Sequence, residues 1–470
     1  MRKKVRQGAL TVLAPIRPGR DEMEALKRYL EAIRRRVNRN EGRGTPLGFE
    51  KVTTLHYARF VILDEHRPSA GELQSEPLLL ISTQYDGSLR DHLEELIDHG
   101  EPALAEILSH CAGFDAETGP DERRIYNYLK RHSHRAHALF KGTPWRSVGR
   151  ILWEQEVAGW IRTYAAEELS PDVDPTEAWR LIRAHVSAKL ERGDRPTAEA
   201  TYGKGCAESA HWVRWQRRSV RVWTTVWSLP FWIPILGYYF LPKTTMLVVL
   251  GIVVAGLRLR IEEDSDAEAL ANQEGASSHA VRNQLLGERD KMLGKHEDIW
   301  SQNQLTLVST VKPSPLRRAL LRAVLFVVDV RARFKFTEGL LHGLPTIHFA
   351  YWMLFDRGRR LLFVSNYDDS WAGYLDDFIQ HSPRALTGIW SHAEGFPATR
   401  FLFWRGASDG RRFKAWARAD QVPPEVWYSA YPWLSTENIN CNSRLVEGLN
   451  YRGFADPKRR DETFAWLALI

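Results

Sequence analysis

The sequence predicts an α+β fold. Two ferredoxin-like βαββαβ repeats are expected to form a pseudo-symmetric α+β barrel, with an inserted transmembrane helical hairpin. Three observations carry this expectation. Five sequence blocks recur in the same order in both halves of the 470-residue chain. The repeated strand-like runs are apolar on both faces. Between the repeats lies a charge-free stretch long enough to cross a bilayer.

Each repeat opens on a β-branched run that ends at a proline turn: "LTVLAPIRPG" (10–19) in the first, "LTLVSTVKPS" (305–314) in the second. The amino terminus starts with basic residues like a signal peptide. Its apolar run is short and stops at Pro15, so it reads as this first strand. Next come the histidine strands, "TLHYARFVILD" (54–64) and "TIHFAYWMLFD" (346–356). In the second, His348, Ala350, Trp352 and Leu354 fall on one face, and Ile347, Phe349, Tyr351, Met353 and Phe355 on the other. Helices cover one face of such a sheet, so the sheet of the other repeat is the expected cover for the second face. The enclosed interior would then have room for a ligand.

"QYDGSLRDHLEELIDH" (84–99) and "NYDDSWAGYLDDFIQH" (366–381) read as a strand end, a polar turn and an amphipathic helix. Ser88 with Asp91 suits a helix N-cap, and Asp368 or Ser370 would cap the second copy. "ILSHCAGF" (107–114) and "IWSHAEGF" (389–396) follow, with Gly113 and Gly395 placed for turns of positive φ. "LFKGTPW" (139–145) and "WYSAYPW" (427–433) are the last strands, each stopped by Pro-Trp. The first repeat is thus assigned to 1–170 and the second, with a C-terminal tail, to 303–470.

Residues 171–302 form the insert. It opens with an amphipathic helix over 175–192. The hairpin follows, with arms at about 222–241 and 244–259, and then an acidic linker over 262–278. Arg214, Arg217, Arg218 and Arg221 precede the hairpin, Arg258 and Arg260 follow it, and the connector holds only Lys243. The positive-inside rule therefore puts both ends, and both repeats, in the cytoplasm against the inner membrane of a bacterium. Trp212, Trp215, Trp223, Trp227, Trp232, Tyr238 and Tyr239 suit interfacial belts. The alternative is a buried helical hairpin. The run 315–334 resembles a membrane-surface helix, but its place in the repeat makes it a core helix.

The net charge of +7 suits an acidic membrane surface, and the basic residues form no nucleic-acid motif. Cys111, Cys206 and Cys441 lie far apart without CxxC spacing, which points to a reducing compartment and away from attached c-type haem. There is no P-loop, GxGxxG, HExxH or GxSxG, which disfavours nucleotide hydrolysis, dinucleotide redox chemistry and common hydrolase mechanisms.

The candidate chemistry lies in repeated residues. His56 and His348 are either ligands or bases facing the interior, or core histidines with backbone or hydroxyl partners. His110 and His392 are either a ligand and proton shuttle, or helix-end residues favoured by the dipole. Asp368 and Tyr367 are the proton-handling neighbours; capping would also explain Asp86 and Asp368. His132, His134 and His137 have no counterpart in the second repeat and no nearby carboxylate or cysteine, so no metal is assigned to them.

The blocks "QNQLTLVSTVKP", "LPTIHFAYWMLFD", "LLFVSNYDDSWAGYLDDFI", "SHAEGFP" and "VWYSAYP" resemble a group of largely uncharacterised bacterial membrane-associated proteins. At superfamily level the arrangement is similar to dimeric α+β barrel proteins, among them dye-decolourising peroxidases and chlorite dismutases. That resemblance implies a haem held through a histidine, His348 or His392 here with His56 and His110 as their counterparts. It also implies peroxidase-like oxidoreductase activity and the prospect of a homo-oligomer. The G-x-x-D-G motif of the peroxidases stands here as Thr83-Gln84-Tyr85-Asp86-Gly87, and in the second copy as Ser365-Asn366-Tyr367-Asp368-Asp369. Two functions are carried forward: a haem- or small-apolar-ligand-binding oxidoreductase anchored to the bilayer, and a non-catalytic membrane scaffold or ligand-binding module.

Overall fold

The computed structural model describes residues 5–39, 44–64, 76–114, 121–170, 172–192, 242–276, 293–294, 297, 301–334, 341 and 344–470. In the first half β1 (Gln7–Pro15), α1 (Arg20–Arg39), β2 (Leu55–Leu63), β3 (Leu78–Asp86) and α2 (Leu89–Ser109) follow one another. Then come α3 (Glu122–Arg131), β4 (Ser133–His134), β5 (Ala138–Lys141) and α4 (Val148–Glu168). The insert contributes α5 (Pro175–Glu191) and α6 (Pro242–Ala276). The second half repeats the order with β6 (Gln302–Thr310), α7 (Pro315–Phe334), β7 (Ile347–Phe355), β8 (Arg360–Asp368), α8 (Trp371–His381) and α9 (Pro383–Trp390). It continues through β9 (Thr399–Arg400), β10 (Trp404–Arg405), α10 (Gly410–Asp420), β11 (Val426–Ser429), α11 (Thr436–Leu449) and α12 (Arg460–Leu467).

Local chemistry fixes the helix starts as expected. Ser88 accepts from Asp91 N at 3.1 Å to cap α2, and Ser370, not Asp368, accepts from Gly373 N to cap α8. Gly113 and Gly395 take φ of 76° and 68°. One difference separates the copies. The first runs a single helix through Pro102, whereas the second is divided at Ser382 into α8 and α9.

The chain is α+β; its described residues form two larger antiparallel sheets of strand order β11-β2-β3-β1-β4 and β5-β7-β8-β6, and a two-stranded β10-β9 sheet. Each half was expected to complete its own sheet with its last strand. Instead the last strands are exchanged. β5 of the first half pairs with β7, Phe140 opposite Ala350; β11 of the second pairs with β2, Tyr428 opposite Ala58. Before leaving, each segment touches its own first strand: His134 pairs with Thr11, and Gln421 bridges Leu307. The two sheets are therefore stitched along both edges.

The sheets face one another as the doubly apolar strands required. Leu13, Val61, Leu63 and Leu80 meet Val308, Tyr351, Met353, Phe355, Leu362 and Val364 between them. Where a ligand-holding interior was expected, this layer is occupied by side chains. The opposite faces bury against α1, α2 and α3 in one half and α7, α8, α9 and α10 in the other. A further layer joins α4, α5, α11 and α12 through Trp179, Ile182, Leu445, Val446 and Trp466, so α5 packs with the repeats that flank the insert.

The hairpin expectation changes. Its first arm, 222–241, lies outside the described residues. Its second, 244–259, is the start of the 35-residue α6 and not a span of its own. Among the described residues no helix is long and apolar enough to cross a membrane. The acidic stretch 262–276 is helix, not linker. Arg258 with Glu262 and Arg260 with Asp264 pair at i,i+4 along it.

Candidate functional site

The histidine strands carry the same defect at the same place. In β2, Leu55 opposes Tyr85 and Tyr57 opposes Gln84; in β7, Ile347 opposes Tyr367 and Phe349 opposes Asn366. His56 and His348 are therefore the extra residues of two β-bulges. The bulge also corrects the predicted face of Ile347, which joins the helix-side core with Ala350 and Trp352.

Bulging points each imidazole at the aspartate ending the neighbouring strand. His56 Nε2 lies 2.9 Å from Asp86 Oδ1, and His348 Nε2 lies 2.7 Å from Asp368 Oδ1. Each aspartate spends its second oxygen on a helix start. Asp86 Oδ2 accepts from Val148 N at 2.8 Å, and Asp368 Oδ2 accepts from Thr436 N and Oγ1, both at 2.8 Å. These are the first residues of α4 and α11, where unpaired amides and the helix dipole favour an anion. Both helices follow the exchanged strands, so each His-Asp pair ties such a helix back to the sheet of its own half.

The copies differ at a fourth residue. Ala430 N donates to His56 O at 2.9 Å, and the next residue, Tyr431, sets its hydroxyl 2.7 Å from His56 Nδ1. In the tautomer that keeps Nε2–H on Asp86, Nδ1 is the acceptor for that hydroxyl. In the other copy Gly142 N donates to His348 O at 2.7 Å, and Thr143 follows it. Gly142 is required there, because a Cβ would sit 1.7 Å from Ile347 O. Among the described residues, neither His348 Nδ1 nor Thr143 Oγ1, both buried, has a hydrogen-bond partner. Tyr57, Phe349 and Tyr431 fill the space between the two imidazoles, with ring centroids 5.1 Å for His56–Phe349 and 5.7 Å for Tyr57–His348. Burial pushes the Tyr57 and Tyr431 hydroxyls well above their usual range, so neither is a ready acid.

Sequence reasoning missed the polar belt beside these pairs. Arg59 is fully buried between the sheets, and its partners among the described residues are neutral. It donates to Gln304 Oε1, Leu305 O and Thr306 Oγ1 near 3 Å, to Ser365 O at 2.9 Å, and to Asn366 Oδ1. Burial lowers its pKa to about 10, which leaves it charged at neutral pH. Tyr351, its counterpart, accepts from Thr11 Oγ1 at 3.0 Å and donates to Ser82 Oγ at 2.8 Å. Asn366 and Gln84, also counterparts, bond to each other at 2.9 Å. The one available signal was an arginine within an otherwise apolar strand.

The remaining candidates are scattered. Tyr367 lies on the helix side of β8, stacked on Tyr374 at 3.8 Å, away from its neighbour Asp368. His110 ends α2 with Nδ1 2.7 Å from Glu22 Oε2. His392 is buried near α7, where burial, then Arg317 and Lys312, lower its pKa to about 3. The backbone carbonyls of His110 and His392 accept alike, from Arg17 N and Lys312 N at 2.9 Å. His132 ends α3, His134 lies in β4, and His137 Nδ1 accepts from Leu354 N. No group of three metal-ligating side chains occurs among the described residues.

A haem needs an imidazole nitrogen that can reach iron, and a flat slot beside it. Both His56 nitrogens and His348 Nε2 are engaged, and His348 Nδ1 lies among packed aromatic rings. The strand histidines His56 and His348 therefore do not fit a haem. Both His392 ring nitrogens are buried without a hydrogen-bond partner among the described residues, with Arg317 and Lys312 near enough to lower its pKa. Compared with known protein families, with curated proteins and with solved structures, the chain matches none. The likeness to α+β barrel proteins thus rests on the sequence blocks alone.

Proposed function

We propose that the chain is a non-catalytic module whose paired-sheet body is held against a bilayer by α6, on the cytoplasmic face of a bacterial inner membrane. In this reading each half is a ferredoxin-like unit with its last strand exchanged. The carrying observation is the two-part character of α6. From Met246 to Leu257 its apolar side chains stand exposed, Met246 and Ile252 at 70% and 65%. Isolated water-facing apolar residues are ordinary; an unbroken run on a helix is a lipid-facing pattern. From Glu262 onward the helix is bolted to the second half. Arg317, fully buried, reaches Glu262 at 3.3 Å and Asp266 at 2.8 Å, and Lys312 reaches Asp266 at 2.8 Å. The apolar part from 244 to 257 rises about 21 Å against a hydrocarbon core of about 30 Å, so it inserts part-way by itself. The test is sedimentation of the full chain expressed in bacteria, beside Val249→Asp/Val253→Asp. Wild type is expected in the membrane pellet and the variant mostly in the supernatant. Wild type in the supernatant sinks the reading.

A second reading, a small-ligand-binding enzyme, is favoured by the unpartnered His348 Nδ1 and Thr143 Oγ1. It expects a hydroxyl-bearing ligand whose binding shifts the His348 imidazole nitrogen resonances and leaves those of His56 in place. Equal shifts at both, or none, would remove it.

A further inference from the structure

We propose that the 399–405 loop forms a second bilayer contact, an aromatic–arginine patch that takes anionic phospholipid headgroups. The proposal rests on the bilayer reading and specifies how deep the body sits and which lipids it prefers. Phe401, Phe403 and Trp404 are 47%, 40% and 51% exposed, while Leu402 between them turns inward. Phe401, Leu402 and Arg405 hold φ of 48°, 67° and 65°, a backbone region unfavourable to residues with side chains. A loop strained in this way to keep three aromatics in water is arranged for something outside the fold.

Its position is set by α6. Glu263, itself buried, accepts from Phe401 N and Leu402 N, each at 2.8 Å, and from Thr399 Oγ1 at 3.1 Å. Consecutive amides converging on one carboxylate make a nest. Glu263 lies six residues beyond Leu257, so the loop is tied about 9 Å along the helix from the end of the apolar run. That is where the headgroup layer falls when the run is in hydrocarbon, and aromatic residues favour that level.

Guanidiniums lie over the loop's exposed rings. Arg260 lies over the Phe401 ring at 5.4 Å, Arg400 over the same ring at 5.7 Å, and Arg384 over Trp404 at 5.9 Å. Arg258 and Arg260 are met by acids of α6. Exposed Arg384, Arg400 and Arg405 form no ion pair among the described residues, and so are available to phosphate. Aromatic side chains to enter the interface, unpaired guanidiniums beside them, and continuity with the apolar run together select an anionic lipid surface.

The test is co-flotation of the full chain with phosphatidylcholine vesicles and with vesicles containing one-third phosphatidylglycerol, at low and high salt. Wild type should bind both, and the anionic vesicles about tenfold or more tightly at low salt only. Arg384→Gln/Arg400→Gln/Arg405→Gln should lose that preference and keep the phosphatidylcholine binding. Phe401→Ser/Phe403→Ser/Trp404→Ser should weaken binding to both severalfold. Equal wild-type binding to the two compositions, or a preference that survives the arginine changes, overturns the patch and leaves the bilayer reading standing. Flotation with neither overturns both. A Trp404→Cys thiol shielded from maleimide before vesicles are added would show that a protein segment covers the patch, and would also overturn it.

Discussion

The His56 and His348 sites share one plan, and their main difference is the residue that faces the imidazole Nδ1. In both, a bulged histidine binds an aspartate that binds the start of a helix. Only the first then closes with a tyrosine hydroxyl; the second has Thr143 where Tyr431 stands. The shared part is the part that ties strand, sheet and exchanged helix together, and the unshared part is not needed for that. The contrast separates a structural clasp, common to both, from whatever distinguishes the second site.

The largest expected effect tests the shared part. Asp86→Ala and Asp368→Ala each leave a buried imidazole and a helix-start amide without an acceptor, and should each lower unfolding free energy by about 3–5 kcal/mol in urea titrations. Comparable losses support equivalent clasps. A loss confined to Asp86 would mean that the second pair is free of structural duty. Next, Arg59 and Tyr351 occupy matching positions with different chemistry. Arg59→Met strands several buried oxygens and should cost about 3 kcal/mol, Tyr351→Phe about 1 kcal/mol. The reverse ranking would break the account of the polar belt.

A third pair compares His92 with Tyr374. His92 is buried, held by Thr54 Oγ1 at 3.0 Å and Thr83 Oγ1 at 2.8 Å and stacked on Tyr85, as Tyr374 bonds Ser365 and stacks on Tyr367. Burial, with some help from His56, lowers its pKa to about 3. Folded His92 therefore stays neutral while the unfolded chain takes up a proton below about 6.5. Its stabilisation is complete above that pH and fades as pH falls towards 3. It should account for about 2 kcal/mol of the stability lost between pH 7 and pH 5, His392 adding a similar amount. His92→Tyr, which copies the second half, should flatten that limb by half; an unchanged slope would refute it. The smallest effect sharpens the opening contrast. Tyr431→Phe makes the His56 site resemble the other and should cost about 1 kcal/mol. It should also move the His56 Nδ1 resonance, with His348 unmoved.

Much of this was readable in the sequence because duplication prints the same signals twice. The strand at Leu55–Leu63, the Ser88 and Ser370 caps, the Gly113 and Gly395 turns and the helix Pro315–Phe334 are local choices, made by residues near in the chain. The bulges were not legible, since an extra residue exists only relative to the strand opposite. Nor was the exchange: "LFKGTPW" announces a strand and a stop, but not which sheet edge will receive it. Alternation misplaced Ile347 for the first reason. The charge of 262–276 suggested a linker, although the four-residue spacing of Arg258 and Glu262 was a helical signal in plain view. At the site, His56, His348, Asp86 and Asp368 could be picked out as repeated residues. Tyr431 and Arg59 could not, because their partners lie 245 to 375 residues away, and Thr143 could not, because what marks it is a hydroxyl left without a partner among the described residues.

The exchanged strands also impose an order on biosynthesis. When the first half has left the ribosome, Leu55–Leu63 has no neighbour on its outer edge, and it gains one only after Val426–Ser429 has been made. Meanwhile β5 has no strand to join until β7 appears. For most of translation the nascent chain therefore carries an open, apolar sheet edge of the kind that recruits other strands. Its maturation depends on whatever shields that edge, and a truncated product ending before Val426 is expected to aggregate instead of persisting as a half-protein.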